Sequence, residues 1–188
     1  MRANVGPGKT VAVVGIGGLG HLGIQWAKAL GAKTYALTHS KDKVDDAKKL
    51  GADEVILTSE DGWADKHKLK FDFILNCSNA THKFDIPAYL GTLKVGGEFH
   101  LVGIPNEPLP EMKAFALVGN AAKISGSHLG NHQEMEAMLQ LAADKNIRPL
   151  IETIPISPEG IKEAVQRVEE SKVRYRFTLT DFDKAFGN

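Results

Sequence analysis

The sequence predicts an α/β fold: a doubly wound parallel sheet, followed by a smaller β-α-β tail. Three observations predict it. Short β-branched runs alternate with helix-like segments along most of the chain. The first run, from Val11, is almost unbroken in its apolar character and breaks into glycines before a helix pattern begins. A change of pattern after Arg148-Pro149 marks a boundary, which divides the chain into 1–148 and 149–188.

Each element follows from local pattern. Thr10–Gly15 reads as a buried strand and Gly18–Leu30 as a helix. Lys33–Thr38 is the second strand and Lys41–Leu50 the second helix. Glu54–Leu57 and Phe71–Asn76 are further strands, with a helix near Phe84–Leu93. Gly97–Val102 and Ala122–Ser127 follow as strands. Asn131–Asp144 is amphipathic, with Met135, Met138, Leu139 and Ala142 on one face. In the tail, Ile151–Ile156 is strand-like. Ser157-Pro158 is an N-cap with proline at the first helical position, and Ile161, Ala164, Val165 and Val168 form a stripe behind it. Arg174–Leu179 closes the tail as a strand.

Composition removes several classes. Lys plus Arg equals Asp plus Glu at 23 each, so nothing favours nucleic acid or an anionic membrane. No apolar run approaches the roughly 18 residues of a membrane span. The single cysteine, Cys77, permits no internal disulfide and no cysteine-rich zinc site, and it fits a reducing, cytoplasmic setting. The His residues are scattered, without a His-x-x-x-His pair beside an acid.

Gly15, Gly17 and Gly20 make G-x-G-x-x-G, with Gly18 and Leu19 inside it. The first glycine turns the chain out of the strand. The second leaves the backbone bare for a pyrophosphate. The third lets the helix pack closely on the sheet, and the helix N-terminus offers N–H groups and a positive dipole. In this setting, after a strand and opening a helix, the motif predicts dinucleotide binding in a Rossmann-type unit. An NAD site would carry Asp or Glu at the end of the second strand. Here Thr38, His39, Ser40 and Lys43 occupy that region, and hydroxyls plus a lysine suit a 2′-phosphate. NADP(H) is therefore the expected coenzyme. The alternative has Asp42 binding the ribose, with Lys41 and Lys43 only solvated. His21 lies either near the pyrophosphate or merely on the helix face.

Several stretches together resemble one family: "GPGKTVAVVGIGGLGHLGIQWAKALGAKTYALTHS", "LGADEVI", "FDFILNCSNATH", "LKVGGEFHLVGIP", "ISGSHLG" and "VRYRFTL". They resemble zinc-dependent medium-chain alcohol dehydrogenases, and most closely the NADP-dependent cinnamyl alcohol dehydrogenase branch. The resemblance covers essentially the whole chain, in order. It implies that Thr38 to Lys43 form the 2′-phosphate loop. It places Cys77 on the adenosine side, and Gly103, Ser127, His128 and Leu129 near the nicotinamide. A small buried hydrophobe is the competing reading of Cys77. Arg174 and Arg176 either reach a coenzyme phosphate or pin the tail.

The resemblance also implies what this chain does not carry. Members of the family have a separate catalytic domain, with a catalytic and a structural zinc, ahead of this region. No catalytic residue and no metal ligand is therefore named here; zinc belongs to the parent. The tail 149–188 would be a remnant of that catalytic domain, its stripe seeking another partner. The family dimerises through the coenzyme domain, which points to a homodimer through an edge strand at Lys123–Leu129. The parent is expected to move hydride between NADPH and an aldehyde or alcohol, and this chain to bind coenzyme without turnover. A stand-alone, non-catalytic NADP(H)-binding or dimerisation module is the alternative. A methyltransferase is disfavoured by the missing acid after the second strand. A zinc-free quinone reductase is disfavoured by "VRYRF" and "GGLGH".

Overall fold

A computed structural model describes residues 5–170 and 172–187. The chain divides into two compact units, Met1–Ile147 and Arg148–Asn188. The first holds strands β1 (Thr10–Val14), β2 (Lys33–Thr38), β3 (Glu54–Leu57), β4 (Phe71–Asn76), β5 (Leu93–Leu101) and β6 (Lys123–Gly126). Between and after them run helices α1 (Gly20–Ala29), α2 (Val44–Lys49), α3 (Trp63–Lys66), α4 (Ile86–Gly91), α5 (Phe115–Val118) and α6 (His132–Lys145). All strand pairs are parallel, in the order β3-β2-β1-β4-β5-β6. This is a Rossmann-type doubly wound sheet. The chain winds outward from β1 to β3, then restarts at β4 on the other side of β1. In such sheets ligands bind outside the carboxyl ends of the strands, where the order reverses.

Strand alternation builds the two faces. Ala12 and Val14 of β1 enter the larger core with Tyr35, Leu37, Phe71, Ile74, Leu90 and Phe99. Val11 turns the other way, to Ala27, Ala32 and Phe73. Tyr35 and Phe71 meet edge to face at 5.3 Å. Each fully buried large side chain of this kind stabilises by about 1.5–3 kcal/mol. The edges of the elements are polar and specific. Asp85 caps α4, accepting from the Ala88 N–H at 3.1 Å. Asn131 and Glu134 form a reciprocal capping box at α6, which Asn146 ends in the left-handed conformation. Asp72, at the amino end of β4, accepts from the Thr10 N–H at 2.9 Å and from Lys94 at 2.7 Å.

The second unit contains β7 (Ile151–Pro155), α7 (Pro158–Glu169), β8 (Arg176–Thr180) and α8 (Phe182–Phe186), with β7 and β8 parallel. Ser157 caps α7 by accepting from the Gly160 N–H at 2.9 Å. Arg167 joins Glu152 at 2.5 Å and lies 4.8 Å from the Phe177 ring. Of the stripe on α7, only Ala164 is buried; Ile161, Val165 and Val168 are exposed.

Some expected boundaries change. β5 begins at Leu93, not Gly97, because the register against β4 shifts between Phe71 and Phe73. That irregularity pushes Val95 and Gly96 outward and interrupts the alternation that marks a strand. The helix before it is shorter than Phe84–Leu93, since Asp85 caps it and a proline sits in its first turn. The segment Lys41–Leu50 opens as a 3-10 turn over Lys41–Lys43 before α2. The edge strand expected to run from Lys123 to Leu129 stops at Gly126, and Ser127, His128 and Leu129 belong to an exposed loop beyond it. α3, α5 and α8 are too short to show a helical period. Among the described residues no helix is long and apolar enough to cross a membrane.

Candidate functional site

The expected coenzyme residues converge on the carboxyl ends of β1, β2, β4, β5 and β6. The glycine loop leaves β1 at Gly15, whose φ of +82° lies in the left-handed region. Its N–H donates to the Leu37 carbonyl of β2 at 3.2 Å. Gly20 opens α1 so close to this turn that a Cβ there would stand 1.9 Å from the Gly15 carbonyl oxygen. Gly17 differs: a Cβ would meet nothing within 4 Å, so open space stands over its backbone. Gly18 is half-buried and Leu19, ahead of α1, is exposed. The first turn of α1 carries no acidic side chain, so nothing there opposes an anion.

His21 is fully buried, and its Nδ1–H donates to the Gly17 carbonyl at 3.0 Å. It braces the loop from behind. The competing placements for His21 thus resolve into an interior one.

Beyond β2, Thr38 is buried and its hydroxyl oxygen accepts from the Ser40 N–H at 3.2 Å. Thr38 therefore shapes the turn that presents its neighbours. His39 is exposed and Ser40 half-buried, with the Ser40 hydroxyl donating to Asp42. Lys43 reaches back across the crevice and donates to the Ile16 carbonyl at 3.0 Å. Its ammonium is thereby held against the glycine loop. The 2′-phosphate candidates and the pyrophosphate candidates form one continuous surface.

Two further strand ends complete the rim. Asn76, at the end of β4, is buried and clamps a turn: its amide oxygen accepts from the Ser78 N–H at 3.2 Å. Its backbone carbonyl accepts from Val102 and Gly103, tying β4 to β5. Gly103 is a steric necessity, since a Cβ would lie 2.2 Å from the Ser78 carbonyl oxygen. Cys77 sits behind the start of α1, and burial pushes its thiol up to about 12. A thiol so raised is a packing group, not a nucleophile. Sequence reading had missed Asn76; a polar residue ending an otherwise apolar strand was its signal.

A groove of about 1020 Å³ opens on the α1 side of the sheet, lined among others by Trp26, Phe73, Leu75, Ser127, His128 and Leu129. His100 stands in its wall, 2.8 Å from the Ser127 hydroxyl. In the second unit, the Arg174 N–H donates to Glu152 at 2.6 Å, a contact internal to that unit. Among the described residues no group of three or more His, Cys, Asp or Glu side chains could hold a metal ion. The open backbone at Gly17 and the lysine tethered beside it fit a dinucleotide.

Comparison with known proteins gives the family and the fold. The family model described as zinc-binding dehydrogenase matches residues 18–144. The NADP-dependent alcohol dehydrogenase 6 of Saccharomyces cerevisiae is 39% identical over 190 residues, covering 100% of this chain and 52% of the yeast protein. A cinnamyl alcohol dehydrogenase from Sorghum bicolor superposes with a TM-score of 0.83 at 34% identity, over 92% of this chain and 48% of the other. The CAD from Helicobacter pylori, solved in complex with NADP(H), gives 0.79 at 28% identity over 92% and 48%. The chain spans about half the length of the curated relatives it matches.

Proposed function

The chain belongs to the zinc-binding dehydrogenase family, and from that premise we propose that it is the NADP(H)-binding part of an alcohol dehydrogenase. Residues 1–148 form the dinucleotide-binding domain. Residues 149–188 belong with the catalytic domain of the parent, and the exposed Ile161, Val165 and Val168 supply a surface for it. The parent protein transfers hydride between NADPH and an aldehyde or alcohol, in the manner of the cinnamyl alcohol dehydrogenase branch. Zinc serves as Lewis acid in that parent.

The observation that carries the reading is Lys43 lying against the glycine loop. Gly15, Gly17, Gly18, Leu19 and Gly20 bind the pyrophosphate through bare backbone and the α1 dipole. His39, Ser40 and Lys43 hold the 2′-phosphate, on the turn that Thr38 shapes. Gly103 and Cys77 support the adjoining strand ends. Ser127, His128 and Leu129 flank the nicotinamide. Bound NADPH supplies the hydride. These side chains fix its orientation and keep it at the carboxyl edge of the sheet.

The exposed edge of β6 pairs with a second copy, which makes a homodimer that sedimentation velocity will read. The primary test is titration of the purified chain with NADPH, followed by quenching of Trp26 and Trp63. Saturable quenching is expected. Its absence under conditions where the chain is folded would overturn the coenzyme reading.

A further inference from the structure

Four polar side chains on neighbouring strands form one directed hydrogen-bond chain. Glu98 and His100 stand two apart on β5, and Ser125 and Ser127 two apart on β6 and its extension, so all four share a face. His100 pairs in register with Ser125. The imidazole Nδ1 lies 2.6 Å from the Ser125 hydroxyl and 3.4 Å from Glu98, and Nε2 lies 2.8 Å from the Ser127 hydroxyl. Ser125 in turn donates to the Glu98 carboxylate.

The direction of every bond follows from its last member. A carboxylate only accepts, so Ser125 gives it the hydroxyl proton and accepts the Nδ1–H of His100. A neutral imidazole protonated at Nδ1 has its lone pair at Nε2, which accepts the Ser127 O–H. Ser127 is exposed and lines the groove, and its remaining lone pairs can accept from an amide NH2. Protonating His100 reverses the last bond. Nε2 then carries a hydrogen, donates to the Ser127 oxygen, and turns the hydroxyl hydrogen outward. An acceptor becomes a donor.

We propose that His100 is a positioning residue that holds Ser127 as the acceptor for the carboxamide NH2 of the nicotinamide, and that it releases this contact on protonation. The proposal rests on the coenzyme reading above. Around His100, Glu98 lies on its own strand. Lys123, the register partner of Glu98, lies on β6. His128 and Glu134 line the same groove. Phe73 from β4 stacks on the imidazole at 5.7 Å, and Trp26 from α1 lines the groove; both are uncharged. His128 is a second imidazole in the same groove, so a variant must separate the two.

The test is calorimetric titration of the chain with NADP+ and, separately, with 2′-phospho-ADP-ribose, from about pH 8 to about pH 5. The second probe keeps the 2′-phosphate, the pyrophosphate and both riboses but has no nicotinamide. The ratio of the two affinities therefore reads the nicotinamide alone. In the native chain NADP+ should weaken by roughly three- to tenfold relative to 2′-phospho-ADP-ribose as the pH falls. In His100→Gln and in Ser127→Ala the ratio should be flat, with 2′-phospho-ADP-ribose binding retained as proof of fold. A flat ratio in the native chain overturns the proposal. A ratio that still moves in His100→Gln assigns the effect to another group and overturns it too. Failure of both probes to bind at every pH would instead defeat the coenzyme reading itself.

Discussion

Replacing two glycines of the loop separates what the fold needs from what the ligand needs. Gly20→Ala puts a Cβ 1.9 Å from the Gly15 carbonyl oxygen and 2.9 Å from its carbon. Both atoms are backbone at the β1–α1 junction, so the helix or the turn has to shift. Overpacking of this kind costs about 1–3 kcal/mol. Alanine's better helix propensity returns at most about 1 kcal/mol. A net loss of about 1–2 kcal/mol lowers Tm by roughly 2–8 °C in a domain of this size. Gly17→Ala meets nothing within 4 Å, and Gly17 is not among the glycines with positive φ. Its Tm should stay within the change expected of about 0.5 kcal/mol. The new methyl group nonetheless fills the space assigned to the pyrophosphate, so NADPH binding should fall by about tenfold or more. Thermal unfolding and calorimetric titration of the two variants give opposite signatures. A Gly17→Ala chain with native NADPH affinity refutes the close approach of phosphate to that backbone. A Gly20→Ala chain with native Tm refutes the packing argument.

Two predictions concern stability and reactivity. Burial raises the Asp72 carboxyl, but the Lys94 hydrogen bond and the Thr10 N–H outweigh it and hold the group below the usual carboxylate range. Its stabilising effect is present above the unfolded carboxylate value, about 4, and is lost as pH falls through the lower folded value. Asp72→Asn should cost about 1–2 kcal/mol near neutrality and flatten the acid limb of urea unfolding; an unchanged limb would show that the pair is idle. Cys77, raised by burial from 9.0 to about 12, is protonated at neutral pH in the folded chain. Iodoacetamide at about pH 8 should label it roughly a thousandfold more slowly than in urea. Equal rates would place the thiol in solvent. The unfolded thiol loses its proton above 9.0 while the native one keeps it to about 12, so this group lowers stability as pH climbs through that window.

The glycine loop was legible because three constraints act on neighbouring residues: the turn at Gly15, the open backbone at Gly17 and the close packing at Gly20. The parallel sheet was legible from apolar runs of strand length, such as Val11–Val14. β5 was only half legible, since the shift near Gly96 hides its first residues from any alternation. Lys43 was legible as a 2′-phosphate candidate, but the contacts that place His21 and Lys43 were not visible. The one depends on a ring folding back to the Gly17 carbonyl, the other on a side chain crossing 27 residues of sequence to Ile16. The Glu98–His100–Ser125–Ser127 chain escaped for the same reason. Its members are 25 and 27 residues apart across the β5–β6 register, and only the alignment of the two strands brings them together. Ser127 and Leu129 were assigned to the edge strand, and a strand ending in Gly126 places them in the loop instead.

The central claim is that Lys43, tethered to the glycine loop, selects a 2′-phosphate. The direct measurement is the affinity of the native chain and of Lys43→Ala for NADPH and for NADH. One charge-assisted contact is worth about 1.5–3 kcal/mol, or roughly 10- to 100-fold in affinity. The account predicts that the native chain prefers NADPH by that factor and that Lys43→Ala loses most of the preference while keeping its NADH affinity. Equal affinity of the native chain for the two coenzymes, or an undiminished preference in Lys43→Ala, would contradict it.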